Sequence, residues 1–168
     1  ANRPYFCTFR DIVAHNTSTA VPWVRLEEPN GCRVEGIGLR GDAATPLLTT
    51  DGAFKISYGA FGTDQVHVHG CWDEALLIPE NGCVWHFESV DSSSIEFPMT
   101  FDTVSSVSNP TNNCGIRISE ARSPATSYIG GNSFYGAIPG KSTVATNLAF
   151  GIDLGQSGNS IIGSKGYK

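Results

Sequence analysis

The residues best suited to chemistry lie between positions 67 and 88. His67-Val68-His69 places two imidazoles at i and i+2. On a strand those positions share a face, so both rings fall within reach of one metal ion. Glu74 follows and His86 lies further on, which makes His67, His69, Glu74 and His86 a candidate ligand set. Polar histidines on an outer strand face, or histidines that contact a glycan, are the competing readings. Asp73-Glu74 beside Trp72 suggests a second chemistry. Cleavage of a sugar bond uses two flanking carboxylates or an acid–base pair, and an aromatic face can stack on a sugar ring. Asp73 and Glu74 are therefore the candidate catalytic residues. Trp72, Trp85, His67, His69 and His86 are the candidate substrate-binding residues. Neighbours on a strand point to opposite faces, so Asp73 and Glu74 act together only in a bend. Glu35, Asp42, Asp51, Glu88 and Glu96 are further carboxylates, and no pair has diagnostic spacing.

Composition narrows what such residues could serve. The 168 residues correspond to one domain with room for a core. Charged residues are only 16%, against roughly 25% in ordinary domains, so the polar surface must be built largely from Ser, Thr and Asn. A net charge of −5 argues against a generic nucleic-acid binder, which needs a basic face. No apolar run approaches the length of a membrane span, and no cationic start leads into an apolar stretch, so neither a span nor a signal peptide is expected. The five cysteines are odd in number and contain no C-x-x-C pair. They read as small buried apolar side chains in a chain that folds under reducing conditions.

The elements that must position these residues are strands. Helical periodicity is scarce, while Trp23–Leu26, Val34–Leu39, Val66–His69, Val84–Phe87, Gly115–Ile118 and Gly151–Leu154 are short alternating runs bounded by turn residues. The chain also repeats itself. Gly131-Asn132-Ser133-Phe134-Tyr135-Gly136 returns as Gly158-Asn159-Ser160-Ile161-Ile162-Gly163, a step of 27 residues. Asn30-Gly31-Cys32 returns as Asn81-Gly82-Cys83, an offset of 51 residues or close to two steps of about 25, and Asn113-Cys114-Gly115 is an imperfect third copy. Gly115-Ile116-Arg117-Ile118 matches Gly151-Ile152-Asp153-Leu154. A period in the twenties with short strands predicts stacked β coils, with apolar ladders inside and Asn or Gly at tight corners. Residues 91–111 fit the repeat poorly and are expected to form a longer loop excursion. Arg40-Gly41-Asp42 reads as a simple turn.

Gly-Ile-x-Leu followed by Gly-Asn-Ser-Ile-Ile-Gly resembles the coil repeat of right-handed parallel β-helices of the pectin-lyase type. Val34–Asp42 resembles their early coils. The low-charge, Ser/Thr/Asn-rich style is similar to bacteriophage tailspike and capsule-depolymerase proteins. That resemblance implies an all-β solenoid of about five or six short coils, with residues 1–19 as an N-terminal lead-in or cap and 20–168 as the β-helix domain. It further implies a homotrimer on the virion surface, assembled in the host cytoplasm, that binds and in some members cleaves a bacterial surface polysaccharide, with no cofactor. If it is an enzyme, it is a glycoside hydrolase or lyase. The alternative is a small metal-binding protein with a cupin-like β-barrel or jelly roll. His-x-His, Glu74 and the run from Ile78 to His86 resemble the two cupin metal motifs.

Overall fold

Apolar and polar residues alternate over three to six positions before Gly, Pro, Asn or Ser interrupts them, and the chain answers with short strands. The structure, a computed structural model, describes residues 4–15, 20–42, 44–47, 49–59, 63–96, 98–101 and 103–119, and the strands 132–135, 150–154 and 159–162. Among the described residues there is no helix, and every strand pairing is parallel.

The first three strands are β1 (Thr8–Arg10), β2 (Val13–His15) and β3 (Val24–Glu27). The next passage repeats them as β4 (Arg33–Glu35), β5 (Gly38–Arg40) and β6 (Phe54–Ser57). After β7 (Thr63–Asp64) come β8 (His67–His69), β9 (Trp72–Glu74), β10 (Leu77–Ile78) and β11 (Cys83–Glu88). The following passage gives β12 (Val90–Asp91), β13 (Ser94–Glu96), β14 (Met99–Phe101), β15 (Val104–Ser105) and β16 (Cys114–Ser119). The last described strands are β17 (Asn132–Tyr135), β18 (Phe150–Leu154) and β19 (Asn159–Ile162). Through β16, each passage adds one strand to each of three growing sheets, and β17, β18 and β19 extend sheets one and three. Sheet one runs β1-β4-β8-β13-β17-β19, sheet two β2-β5-β9-β14 and sheet three β3-β6-β11-β16-β18. The pairs β7-β12 and β10-β15 complete the set.

Register makes the sequence repeats physical. Asn132 pairs with Asn159 and Phe134 with Ile161, the predicted 27-residue step. Ile116 pairs with Ile152 and Ile118 with Leu154, as the second match predicts. The Asn-Gly-Cys copies behave differently. Asn30-Gly31-Cys32 forms the corner before sheet one, and Asn81-Gly82-Cys83 leads into sheet three. The true partner of Cys83 is Cys114. Gly31 takes the left-handed conformation in the first case and Asn81 in the second. Turn residues recur at any tight corner, so the 51-residue offset joined two unlike corners. The run Val34–Leu39 is likewise two strands, β4 and β5, because the chain bends at Gly36, where φ is 63°. Residues 91–111, expected to form a loop excursion, contribute strands to the sheets from β12 through β15. Within the expected lead-in 1–19, β1 and β2 form edges of sheets one and two, with Phe9 and Ala14 packed on the core.

Corners repeat as regularly as strands. Phe6, Gly31, Gln65 and Ser92 all have positive φ at the corner before sheet one. Phe6 N–H donates to Asn30 O at 2.9 Å, Gly31 N–H to Asp64 O at 3.0 Å and Gln65 N–H to Asp91 O at 3.1 Å. This stacked bonding offsets the strain of left-handed backbone at side-chain-bearing residues.

Inward positions align into apolar columns. Sheet one contributes Val34, Val68 and Ile95, all fully buried. Sheet three contributes Phe54, Trp85 and Ile116, and beside them Ile56, Phe87 and Ile118. The Phe54 and Trp85 ring centroids are 5.1 Å apart. Four of the five cysteines are buried, as expected, and all five are free thiols.

Sheet two places a charged residue at an inward position. Asp73 occupies the inward position paired with Leu39 and is fully buried. Trp85 Nε1–H donates to its Oδ2 at 2.6 Å, and Thr103 Oγ1–H donates to its Oδ1 at 2.6 Å. A buried carboxylate is tolerable only with such donors. Trp85→Ala should therefore open a cavity and strip a donor from Asp73 together. We expect a loss of about 3–5 kcal/mol in denaturant unfolding. A loss below about 1 kcal/mol would contradict this role of Trp85 in the core.

Candidate functional site

Outward positions of sheets one and two also align, and they gather most of the predicted site residues. On β8, Val68 points inward, and His67 and His69 are exposed on either side of it. His69 pairs in register with Glu35 below. Its Nδ1 lies 2.6 Å from Glu96 Oε2, which also accepts the Gly70 N–H at 2.7 Å. Glu35 in turn meets Arg10 at 3.6 Å. The outer face of sheet one thus carries Arg10, Glu35, His69 and Glu96 as neighbouring rungs of alternating charge character. Exposed pairs of this kind contribute about 0–1 kcal/mol each, so their main effect is to orient side chains.

One corner away, β9 presents Trp72 and Glu74 outward. Trp72 pairs in register with Gly38 on β5. The glycine leaves the backbone bare beneath the indole: a Cβ at position 38 would come within 2.3 Å of Trp72 Cζ2. The ring therefore lies against the sheet and is half-buried. Glu74 Oε2 accepts from Arg40 Nε at 3.4 Å. The result is an aromatic patch with a carboxylate and a guanidinium on the same sheet and, around the Gly70 corner, an imidazole. Gly38 was not singled out from the sequence. Its register with Trp72 would have required knowing the 34-residue step from β5 to β9.

The other expectations divide. Trp85, expected to bind substrate, is a core residue and offers no face to a sugar. Asp73, expected to be catalytic, points inward with its carboxylate bonded to Trp85 and Thr103, while Glu74 points outward. No bend brings Asp73 and Glu74 to one side, so they do not form a catalytic pair. The alternative ligand set is also dispersed. His67 and His69 lie on sheet one, Glu74 on sheet two and His86 on sheet three. Among the described residues no group of three or more His, Cys, Asp or Glu could hold a metal ion.

His86, expected to contact substrate, belongs to a separate polar cluster on the outer side of sheet three. Lys55, one rung below it, is almost fully buried, and its Nζ binds Asp51 Oδ1 at 3.1 Å and Glu88 Oε1 at 3.2 Å. Glu88 Oε2 accepts the Tyr58 N–H at 3.0 Å. His86 Nδ1 lies 3.2 Å from the Asp51 carbonyl oxygen, and its Nε2 lies 2.6 Å from Ser119 Oγ. Sequence reading missed Lys55 and Ser119. The available signal was the phase match of Phe54-Lys55-Ile56, Trp85-His86-Phe87 and Ile116-Arg117-Ile118.

Burial, and next the Lys55 cation, lower the His86 pKa below its usual 6.5, against the weaker pull of Glu88 and Asp51. The folded state therefore binds fewer protons than the unfolded state below pH 6.5. Stability should fall as pH drops through 6.5 and level off below the folded-state pKa. Asp42 titrates in a lower window. N–H groups of Thr45 and Ala44 hold its carboxyl at about 2, so its contribution is lost only as pH falls below 3.8. Melting curves of the parent and His86→Gln check this. The parent should lose stability between pH 7 and 5, and the variant should show a smaller loss across that range.

Comparison with protein-family models, curated proteins and solved structures found no match to this chain.

Proposed function

We propose that this chain is a parallel β-helix domain of the phage spike or fibre type, and that it binds a bacterial surface polysaccharide on the outer faces of sheets one and two. In-register parallel pairing, passage after passage, supports the coil reading over a cupin-like barrel or jelly roll, whose sheets are built from antiparallel strands. The observation that supports glycan binding is the partly exposed Trp72 indole seated against Gly38 on the outer face. A half-buried aromatic plane held this way loses little freedom on binding. Glu74 and Arg40 on sheet two, with His69 around the Gly70 corner, provide donors and acceptors for hydroxyl groups. Faces whose charges are paired, Arg10 with Glu35 and Arg40 with Glu74, suit a long neutral or weakly charged polymer. Binding fits the geometry better than cleavage by Asp73 and Glu74, whose carboxylates point to opposite sides of β9. The phage setting, the virion location and the homotrimer rest on the resemblance of the repeat alone.

A panel of bacterial capsular and lipopolysaccharide glycans tests the reading. Trp72→Ala should weaken binding of the best ligand by roughly ten-fold or more, the scale of an aromatic anchor. Its melting temperature should stay within about 4 °C of the parent. Undiminished binding by a folded Trp72→Ala variant would refute the site. Light scattering should give about three times the 17.9 kDa chain mass, and a monomer would refute the trimer.

A further inference from the structure

The sheet-three cluster contains a constellation that glycan binding does not use. Asp51 O can only accept, so the proton it faces resides on His86 Nδ1. His86 Nε2 is then the free lone pair, and the Ser119 hydroxyl donates to it at 2.6 Å. The imidazole side chain is only 8% exposed, whereas Ser119 at the end of β16 is partly exposed. Two further contacts fix the arrangement. Lys55 clamps the Asp51 carboxylate and thereby the segment whose carbonyl holds His86. Ser89 N–H donates to Ser119 O at 2.8 Å and fixes the backbone that bears the hydroxyl. A serine hydroxyl bonded to a neutral imidazole, itself oriented by a third group, is the geometry of an activated nucleophile. Here a main-chain carbonyl replaces the usual carboxylate as the orienting group.

We propose that Ser119 is a nucleophile and His86 its general base, in a site that hydrolyses carboxylic esters. Ser119 Oγ attacks the ester carbonyl carbon, and its proton passes to His86 Nε2. The bond from that carbon to the alcohol oxygen breaks, and the alcohol leaves with the proton from Nε2. Water then attacks the acyl-serine and gives a proton to Nε2. That proton returns to Ser119 Oγ as the acid departs. The sum is ester plus water to acid plus alcohol, with no further reactant. Lys55 and Asp51 are positioning residues in this scheme. The site is on a different sheet from Trp72, so it stands or falls independently of polysaccharide binding.

A fluorophosphonate probe on the intact chain, followed by peptide mass mapping, tests the nucleophile. The expected result is one adduct, on Ser119. Hydrolysis of 4-nitrophenyl acetate gives the second readout. Ser119→Ala should abolish the adduct and lower this rate by about a hundred-fold or more, with an unchanged far-ultraviolet spectrum. His86→Gln, which can still bond Asp51 O, should slow labelling by a similar factor. The groups that face His86 are Lys55, Asp51, Glu88, Arg117 and Ser119. With the cation beside it and burial around it, His86 remains a base below pH 6.5, so the labelling rate should reach its plateau below that pH. Absence of a Ser119 adduct on the folded parent would overturn the proposal. So would ester hydrolysis undiminished in Ser119→Ala.

Discussion

Everything in this structure depends on one constraint: each strand finds its backbone partner in the strand one passage earlier, parallel and in register. A residue therefore takes the face of its counterpart in the preceding passage. Once Val34 points inward, Val68 and Ile95 must do so too, and a polar residue in that column would disrupt several passages. The corners obey the same rule, so Phe6, Gly31, Gln65 and Ser92 all adopt left-handed backbone although only one is glycine. Stacked hydrogen bonds at those corners substitute for the conformational freedom that glycine would give. Asp73 shows how tightly the rule holds. At its inward position Trp85 and Thr103 supply donors from two other parts of the chain.

The same constraint creates the surfaces. Outward residues form columns as regular as those of the core, which is how Arg10, Glu35, His69 and Glu96 become neighbours despite wide separation in sequence. Trp72 gains its seat against the sheet because its register partner is Gly38. On sheet three, outward columns bring Lys55, His86 and Arg117 together; the Asp51 and Glu88 carboxylates compensate the burial of Lys55, and Ser119 that of His86.

Strand type, the 27-residue repeat and the match of Gly115–Ile118 to Gly151–Leu154 were legible in the sequence, because apolar alternation and identical turns leave a direct trace. The step length was less legible. It varies between passages, since β4 to β8 spans 34 residues and β8 to β13 spans 27. That variation hid the strands of 91–111 and made two unlike Asn-Gly-Cys corners appear equivalent. The division between Trp72 and Trp85 was hidden for a related reason. Each has one apolar and one polar immediate neighbour, Val84 and His86 for Trp85 and Cys71 and Asp73 for Trp72, and register shows Trp85 stacked between Phe54 and Ile116 while Trp72 lies outside over Gly38. Asp73 and Glu74 were recognised as notable residues, but only the inward turn of Asp73 shows that it stabilises the core.

The central functional claim is that one tryptophan face on sheet two meets the polysaccharide while the core stays closed. The most direct measurement follows the indole N–H signals of Trp23, Trp72 and Trp85 by nitrogen-15 NMR during titration with a bound oligosaccharide. The account predicts that the Trp72 signal shifts with saturation and that the Trp85 signal, held on Asp73, stays in place. A saturating ligand that leaves Trp72 unmoved, or moves Trp85 instead, would contradict it.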